Sequence, residues 1–140
     1  MSRIERKTNE TEISLEVTRE GGPIEASTGD TFLDHMLVTL ARYAGLGLRV
    51  RATGDLRHHL VEDVAIALGS VLAKLVEVGI GSSTVPSGEG LAFAAISFGS
   101  PGYREDVEFQ GTYLEDVQLE NLGHFMRTLA YNGRFTLHLR

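Results

Sequence analysis

Apolar and polar residues alternate from Thr11 to Thr18, with Ile13, Leu15 and Val17 on one side and Glu12, Ser14 and Glu16 on the other. That period predicts a half-buried strand. Gly21-Gly22-Pro23 marks a turn, and Ile24 to Ser27 a short return strand. At Thr31 the period changes. Phe32, Leu33, Met36, Leu37, Leu40, Ala41 and Ala44 form a helical stripe stopped by Gly45, with Thr31 and Asp34 read as a capping box. Leu48, Val50 and Ala52 alternate with Arg49 and Arg51, a strand with one wet face. A second helix turns Val61, Val64, Ala65, Leu68, Leu72 and Leu75 inward and ends at Gly79. Gly79 to Gly90 reads as a glycine- and serine-rich connection. Leu91 to Phe98 is nearly all apolar and small, the pattern of a central strand buried on both faces. Tyr103 to Gln110 is more polar and belongs nearer an edge. Leu114 to Asn132 reads as a helix, and Phe135, Leu137 and Leu139 alternate into a last strand.

Part of this pattern occurs twice. Residues 34–51 align without a gap on residues 123–140, an offset of 89. His35, Thr39, Leu40, Ala41, Leu48 and Arg51 recur as His124, Thr128, Leu129, Ala130, Leu137 and Arg140. The expectation is one duplicated α/β domain, with a first repeat over about 1–80 and an incomplete second over about 81–140. The second copy reaches Arg140 before any counterpart of the helix that starts near His58. Its last strand is therefore expected to lack a helix partner, its apolar face either covered by another subunit or unusually polar.

Composition narrows the function. A chain of 140 residues, 42% hydrophobic and 23% charged, has the balance of one globular domain. A net charge of −6 and a pI near 5.3 argue against nucleic acid as a partner, because no basic patch exists to neutralise phosphates. A phosphorylated small molecule must then be held by a few placed groups. Having no cysteine excludes disulfides, zinc–thiolate sites and a thiol nucleophile, which fits a cytoplasmic setting. No apolar signal core or membrane-length window is present, so no membrane partner is expected.

The chemistry concentrates in His58-His59-Leu60-Val61-Glu62-Asp63 at the head of the second helix. His58 and Glu62 are four residues apart and His59 and Glu62 three apart, so imidazole and carboxylate share one side of a helix. Neutral imidazoles with a carboxylate suit a divalent ion such as zinc or manganese. Spacing alone also fits a solvated first turn whose acids complement the helix dipole. The duplicated histidine tips the balance, and His35 and His124 are read as pseudo-symmetry mates in a metal site.

Several stretches in order resemble the imidazoleglycerol-phosphate dehydratase family. They are Asn9-Glu10-Thr11, Thr28-Gly29 with Phe32-Leu33-Asp34-His35-Met36-Leu37, Ala52-Thr53-Gly54-Asp55-Leu56, and His58-His59 through Gly69. His124-Phe125, Leu129-Ala130 and Thr136-Leu137-His138 are similar to the family's second half. The resemblance implies dehydration of imidazole glycerol phosphate to imidazole acetol phosphate in histidine biosynthesis. It implies two four-stranded sheets with helices on one face, and an octahedral 24-subunit homo-oligomer with manganese, or another divalent metal, between subunits. By position the metal ligands are His35, His58, His59, Glu62 and His124. Glu10 and Glu62 are the catalytic candidates, Glu10 to move protons, and Glu10, Glu89 and Arg104 the substrate-binding ones. His138 falls on the polar face of its strand and is read as a surface group or as support behind the ligands.

The chain also departs from the family. Where an arginine is usual after the second helix it reads Gly79-Ile80-Gly81-Ser82-Ser83, and after the central strand Gly99-Ser100-Pro101-Gly102. Arg104 is close enough to replace the second arginine, and backbone N–H groups around Gly81 to Ser83 could assist with phosphate. Val85-Pro86-Ser87-Gly88-Glu89 keeps only the glutamate of a Met-Asp-Glu, and the connection from Asp55 to His58 is short. Two classes stay open at this point: a dehydratase with altered phosphate contacts, and a metal-binding structural relative without turnover. A generic metallohydrolase is disfavoured, since no separate nucleophile or general-base set is present.

Overall fold

Two four-stranded sheets carry the fold, and both have the same strand order. The computed structural model describes residues 1–108, 111, 113–114 and 117–140. Its elements are β1 (Ser2–Lys7), β2 (Thr11–Thr18), β3 (Ile24–Ser27), α1 (Thr31–Ala44), β4 (Gly47–Gly54) and α2 (Arg57–Leu75). There follow β5 (Gly79–Ser87), β6 (Gly90–Phe98), β7 (Gly102–Glu105), the two-residue strands β8 (Tyr113–Leu114) and β9 (Val117–Gln118), α3 (Leu119–Gly133) and β10 (Phe135–Leu139). The first sheet runs β1-β2-β4-β3 and the second β5-β6-β10-β7. In each, the middle pair is antiparallel and the last strand lies parallel to its neighbour. β10 thus stands where β4 stands, and α3 where α1 stands. No counterpart of α2 follows β10 among the described residues.

Several sequence expectations are corrected. β3 is not the hairpin return of β2. It pairs parallel with β4, Ile24 opposite Leu48, because β2 is already flanked by β1 and β4. The chain reaches β4 through α1, the crossover a parallel pair requires. The α1 cap is Asp30, not a Thr31/Asp34 box: Asp30 Oδ1 accepts from the N–H groups of Phe32 and Leu33, both at 3.1 Å. The Asp34 carboxylate instead takes the N–H and hydroxyl of Thr28. Gly45 ends α1 as expected, at φ 69°. α2 stops at Leu75, short of Gly79, and Gly79 opens a strand.

β5 escapes sequence reading because every residue after Gly79 is exposed, so no apolar period marks it. Its order comes from backbone pairing with β6, Gly79 opposite Phe98 through Ser87 opposite Gly90. β1 escapes likewise, an edge strand with mostly charged residues. β6 is central in its sheet but is not buried on both faces, and Leu91 is 69% exposed. Among the described residues α3 packs most closely on this sheet, against β7 and β10, away from the β5 side. The expected helix from Leu114 begins at Leu119, after the β8–β9 pair. Positions 115–116 within that expectation, and positions 109–110 at the end of the expected Tyr103–Gln110 strand, lie outside the described residues.

One hydrophobic core joins the halves, from Ile13, Leu15, Val50 and Val64 to Leu129, Phe135 and Leu137. α2 lies on β1, β2 and β4 with one side and on α3 with another. It is accordingly buried nearly all round, through Leu60, Val61, Val64, Ala65, Ala67, Leu68 and Val71. Each fully buried valine of that set contributes about 1.5–3 kcal/mol of transfer energy. The helices meet at Gly69, where a Cβ would come within 2.8 Å of Asn132 Cβ, Gly133 N and Leu129 O.

Candidate active site

The head of α2 is tied down from three sides. Asp63 accepts a short hydrogen bond from the Thr11 hydroxyl and lies 3.4 Å from the Arg6 guanidinium, fixing the helix to β1 and β2. Arg57 Nε forms a 2.9 Å ion pair with Asp30 Oδ2, whose side chain is only 3% exposed, fixing it to the start of α1. The Asp55 N–H donates to the Glu10 carbonyl at 3.0 Å, joining the β4–α2 junction to the β1–β2 turn. Burial of a charged carboxylate such as Asp30 is tolerable only with such a partner and the cap bonds it accepts.

On that frame the candidate ligands are distributed as follows. His58 and His59 open α2 with ring centroids 4.2 Å apart. His59 Nδ1 lies 2.9 Å from Asp55 Oδ1. Glu62, one turn on, has Oε1 3.5 Å from His124 Nε2 on α3. The pair is surface-accessible, at 44% and 56% side-chain exposure, so further ligands can approach it. His35 is exposed on α1, and its ring has no hydrogen-bonding or ionic partner among the described residues. Glu10 is exposed in the β1–β2 turn, and its charge is felt at His59. Within one chain, no three His, Asp or Glu side chains converge into a metal-binding group among the described residues. Glu62 with His124, and His58 with His59, are brought together; the five are not.

Glu89 occupies the exposed β5–β6 turn beside Gly88 at φ 57°, and Arg104 is exposed on β7, in register with His138 on β10. No hydrogen bond or ion pair joins either to the histidines among the described residues. Sequence reading missed Asp55, Asp30 and Arg57 as parts of the site's frame. Only Asp55 left a signal, its i,i+4 spacing to His59.

The electrostatics follow from the His59–Asp55 contact. The hydrogen bond to His59 holds the Asp55 carboxyl below its ordinary range. The same bond, with the nearby charges of Asp55, Glu10 and Asp63, raises the His59 imidazole above its ordinary value against a smaller effect of burial. Both groups are too exposed for this to bear much on stability. The donor set itself fits a divalent ion. It comprises imidazoles, a carboxylate 3.5 Å from one of them, and a second imidazole whose other nitrogen faces a carboxylate.

These features define a duplicated α/β protein with a histidine- and carboxylate-rich surface at the helix heads. A family model described as imidazoleglycerol-phosphate dehydratase matches residues 28–140. A relative of that name from Archaeoglobus fulgidus is 38% identical over 99% of this chain and 77% of its own length. Another from Desulforudis audaxviator is 40% identical over 98% and 75%. The solved enzyme from Pyrococcus furiosus superimposes with a TM-score of 0.85 at 33% identity, covering 98% of this chain and 78% of that one. The Staphylococcus aureus structure gives 0.87 at 24% identity and speaks to the fold. The chain belongs to the imidazoleglycerol-phosphate dehydratase family, and is a dehydratase of histidine biosynthesis. No helix among its described residues is long and apolar enough to cross a membrane.

Proposed function

We propose that this chain removes water from imidazole glycerol phosphate, giving imidazole acetol phosphate, at divalent-metal sites made from His35, His58, His59, Glu62 and His124. Manganese is the first candidate ion, and ligands from neighbouring copies in an octahedral homo-oligomer complete each site, in the cytoplasm. The observation that carries this reading is the Glu62–His124 approach of 3.5 Å, which joins ligand candidates from both halves of the duplication. The exposure of that pair, and of His35, suits completion by another copy. A bound divalent ion supplies Lewis acidity and a template for the substrate's imidazole ring.

The residues do the rest. Loss of water needs a proton taken from the carbon beside the one whose hydroxyl leaves and a proton delivered to that hydroxyl; the enol so formed becomes the ketone when its O–H proton is exchanged for one on carbon. Glu10 is the candidate to move the first: its charge helps raise the His59 imidazole, and its backbone carbonyl accepts from the Asp55 N–H. Glu62, 3.5 Å from His124, would hold the ion together with that imidazole. Arg104 offers an exposed guanidinium to the phosphate, and Glu89 a carboxylate to a substrate hydroxyl.

The test is turnover of imidazole glycerol phosphate by the manganese-loaded chain, with metal content measured in parallel. Chelator should abolish turnover. Glu10→Gln should lower kcat by about 10²–10⁴ while bound manganese stays constant. His59→Ala should lose manganese, and unchanged metal content would sink the ligand set. An assembled, metal-loaded chain with no turnover would instead identify a structural relative.

A further inference from the structure

Asp55 is held before any ligand arrives. Its N–H donates to Glu10 O at 3.0 Å, and its Oδ1 accepts from the Leu56 N–H at 2.6 Å. The same oxygen lies 2.9 Å from His59 Nδ1. Only Leu56 and Arg57 separate Asp55 from His58, so the short connection puts Asp55 four residues ahead of His59, across one helical turn. A carboxylate can only accept here, so the proton of a neutral ring sits on Nδ1 and the lone pair on Nε2. A carboxylate on the far nitrogen is what fixes the tautomer and ring direction of a metal-binding histidine.

We infer that Asp55 is the positioning residue for His59, holding its Nδ1–H tautomer so that Nε2 is offered to a divalent ion. The inference rests on His59 being a metal ligand. Asp55 never touches the ion or substrate; it acts through the ring it orients. Glu10 is drawn into the same arrangement, because the backbone that carries Asp55 is bonded to the Glu10 carbonyl. The backbone of the proton-moving candidate is thereby tied by one peptide hydrogen bond to that of the residue whose carboxylate orients His59.

Two readouts on the metal-free and manganese-titrated protein test this. In metal-free protein with ¹⁵N-labelled histidine, at a pH where the ring is neutral, His59 should show the Nδ1–H pattern. Asp55→Ala should relax it to a tautomer mixture and weaken manganese binding, by calorimetry, about 10- to 100-fold. Asp55→Asn should restore most of both, since the amide oxygen accepts the same bond. Asp55 is exposed, so unchanged circular dichroism is expected and checks the fold. Wild-type affinity in Asp55→Ala beside weakened His59→Ala would overturn the positioning role and leave the ligand reading standing. Unchanged affinity in both variants would overturn the two together. A wild-type His59 protonated on Nε2 would also overturn the inference, whatever the affinities.

Discussion

The two sheets share a strand order but not their surroundings. In the first, the inward residues Ile13, Leu15, Val17, Leu48 and Val50 are each no more than 3% exposed, covered by α1 and α2. In the second, β10 is buried through Phe135, yet Ile80, Val85 and Leu91 are 89%, 57% and 69% exposed. The order therefore follows from connectivity and backbone pairing, which both copies have. Burial follows from helix cover, which they do not share equally. The second sheet packs most closely on α3, which in turn packs on α2, and Leu68, Leu72 and Leu75 of α2 line a cavity with Ile96 and Phe98 of β6. That makes the α2–α3 crossing the point where the duplication is held together.

The largest expected effect is accordingly at Gly69. A methyl there meets Gly133 N, Leu129 O and Asn132 Cβ, all at 2.8 Å, so a rigid helix backbone must move away. Gly69→Ala should cost about 3 kcal/mol in denaturant unfolding. Hydrogen exchange should rise in β6 and β10 before β2 and β4, because the first sheet keeps both its helices. Wild-type stability, or equal loss of protection in both sheets, would break the comparison.

Next comes Asp30, where the helix starts differ. α1 begins with a capped and ion-paired carboxylate, whereas the N-cap of α3, Gln118, makes no side-chain cap bond. Asp30→Ala removes two cap bonds and the carboxylate facing Arg57, and should cost about 2 kcal/mol. Asp30→Asn keeps an acceptor for the cap and should recover about half of that. If Asn behaves like Ala, the ion pair dominates; if it behaves like wild type, the cap does.

This contrast also explains what could be read from the chain. β2, α1, β4 and β10 were legible because a buried face writes its period into the residues, as in Ile13-Leu15-Val17 and Phe135-Leu137-Leu139. β1 and β5 were not, since edge strands held by backbone pairing need no apolar period. Of the candidate site, the His58–Glu62 spacing and the repeat of His35 as His124 single out Glu62 and His124, which the fold brings to 3.5 Å. Its frame was not legible. The Asp30–Arg57 and Thr11–Asp63 contacts join residues 27 and 52 positions apart, a distance no local pattern spans.

The smallest effect should appear where the copies differ by one residue in the same backbone conformation. Gly45 ends α1 at φ 69°, ψ 27°, and Arg134, 89 positions later, ends α3 at φ 55°, ψ 45°. Each N–H reaches back to matching carbonyls, Ala41 and Arg42 in one copy, Ala130 and Tyr131 in the other. An L-residue in this left-handed region costs about 1–2 kcal/mol, which glycine does not incur. Glycine in turn gains freedom in the unfolded chain, worth about 0.4–1 kcal/mol against it. The first term wins, so Arg134→Gly should stabilise by about 0.5–1 kcal/mol, and Gly45→Ala should destabilise by about 1 kcal/mol. Both are read as shifts in the denaturant midpoint at constant slope. A stabilised Arg134→Gly would show that the second copy tolerates strain the first avoids. A destabilised one would mean that the Arg134 side chain has a role that outweighs its backbone cost.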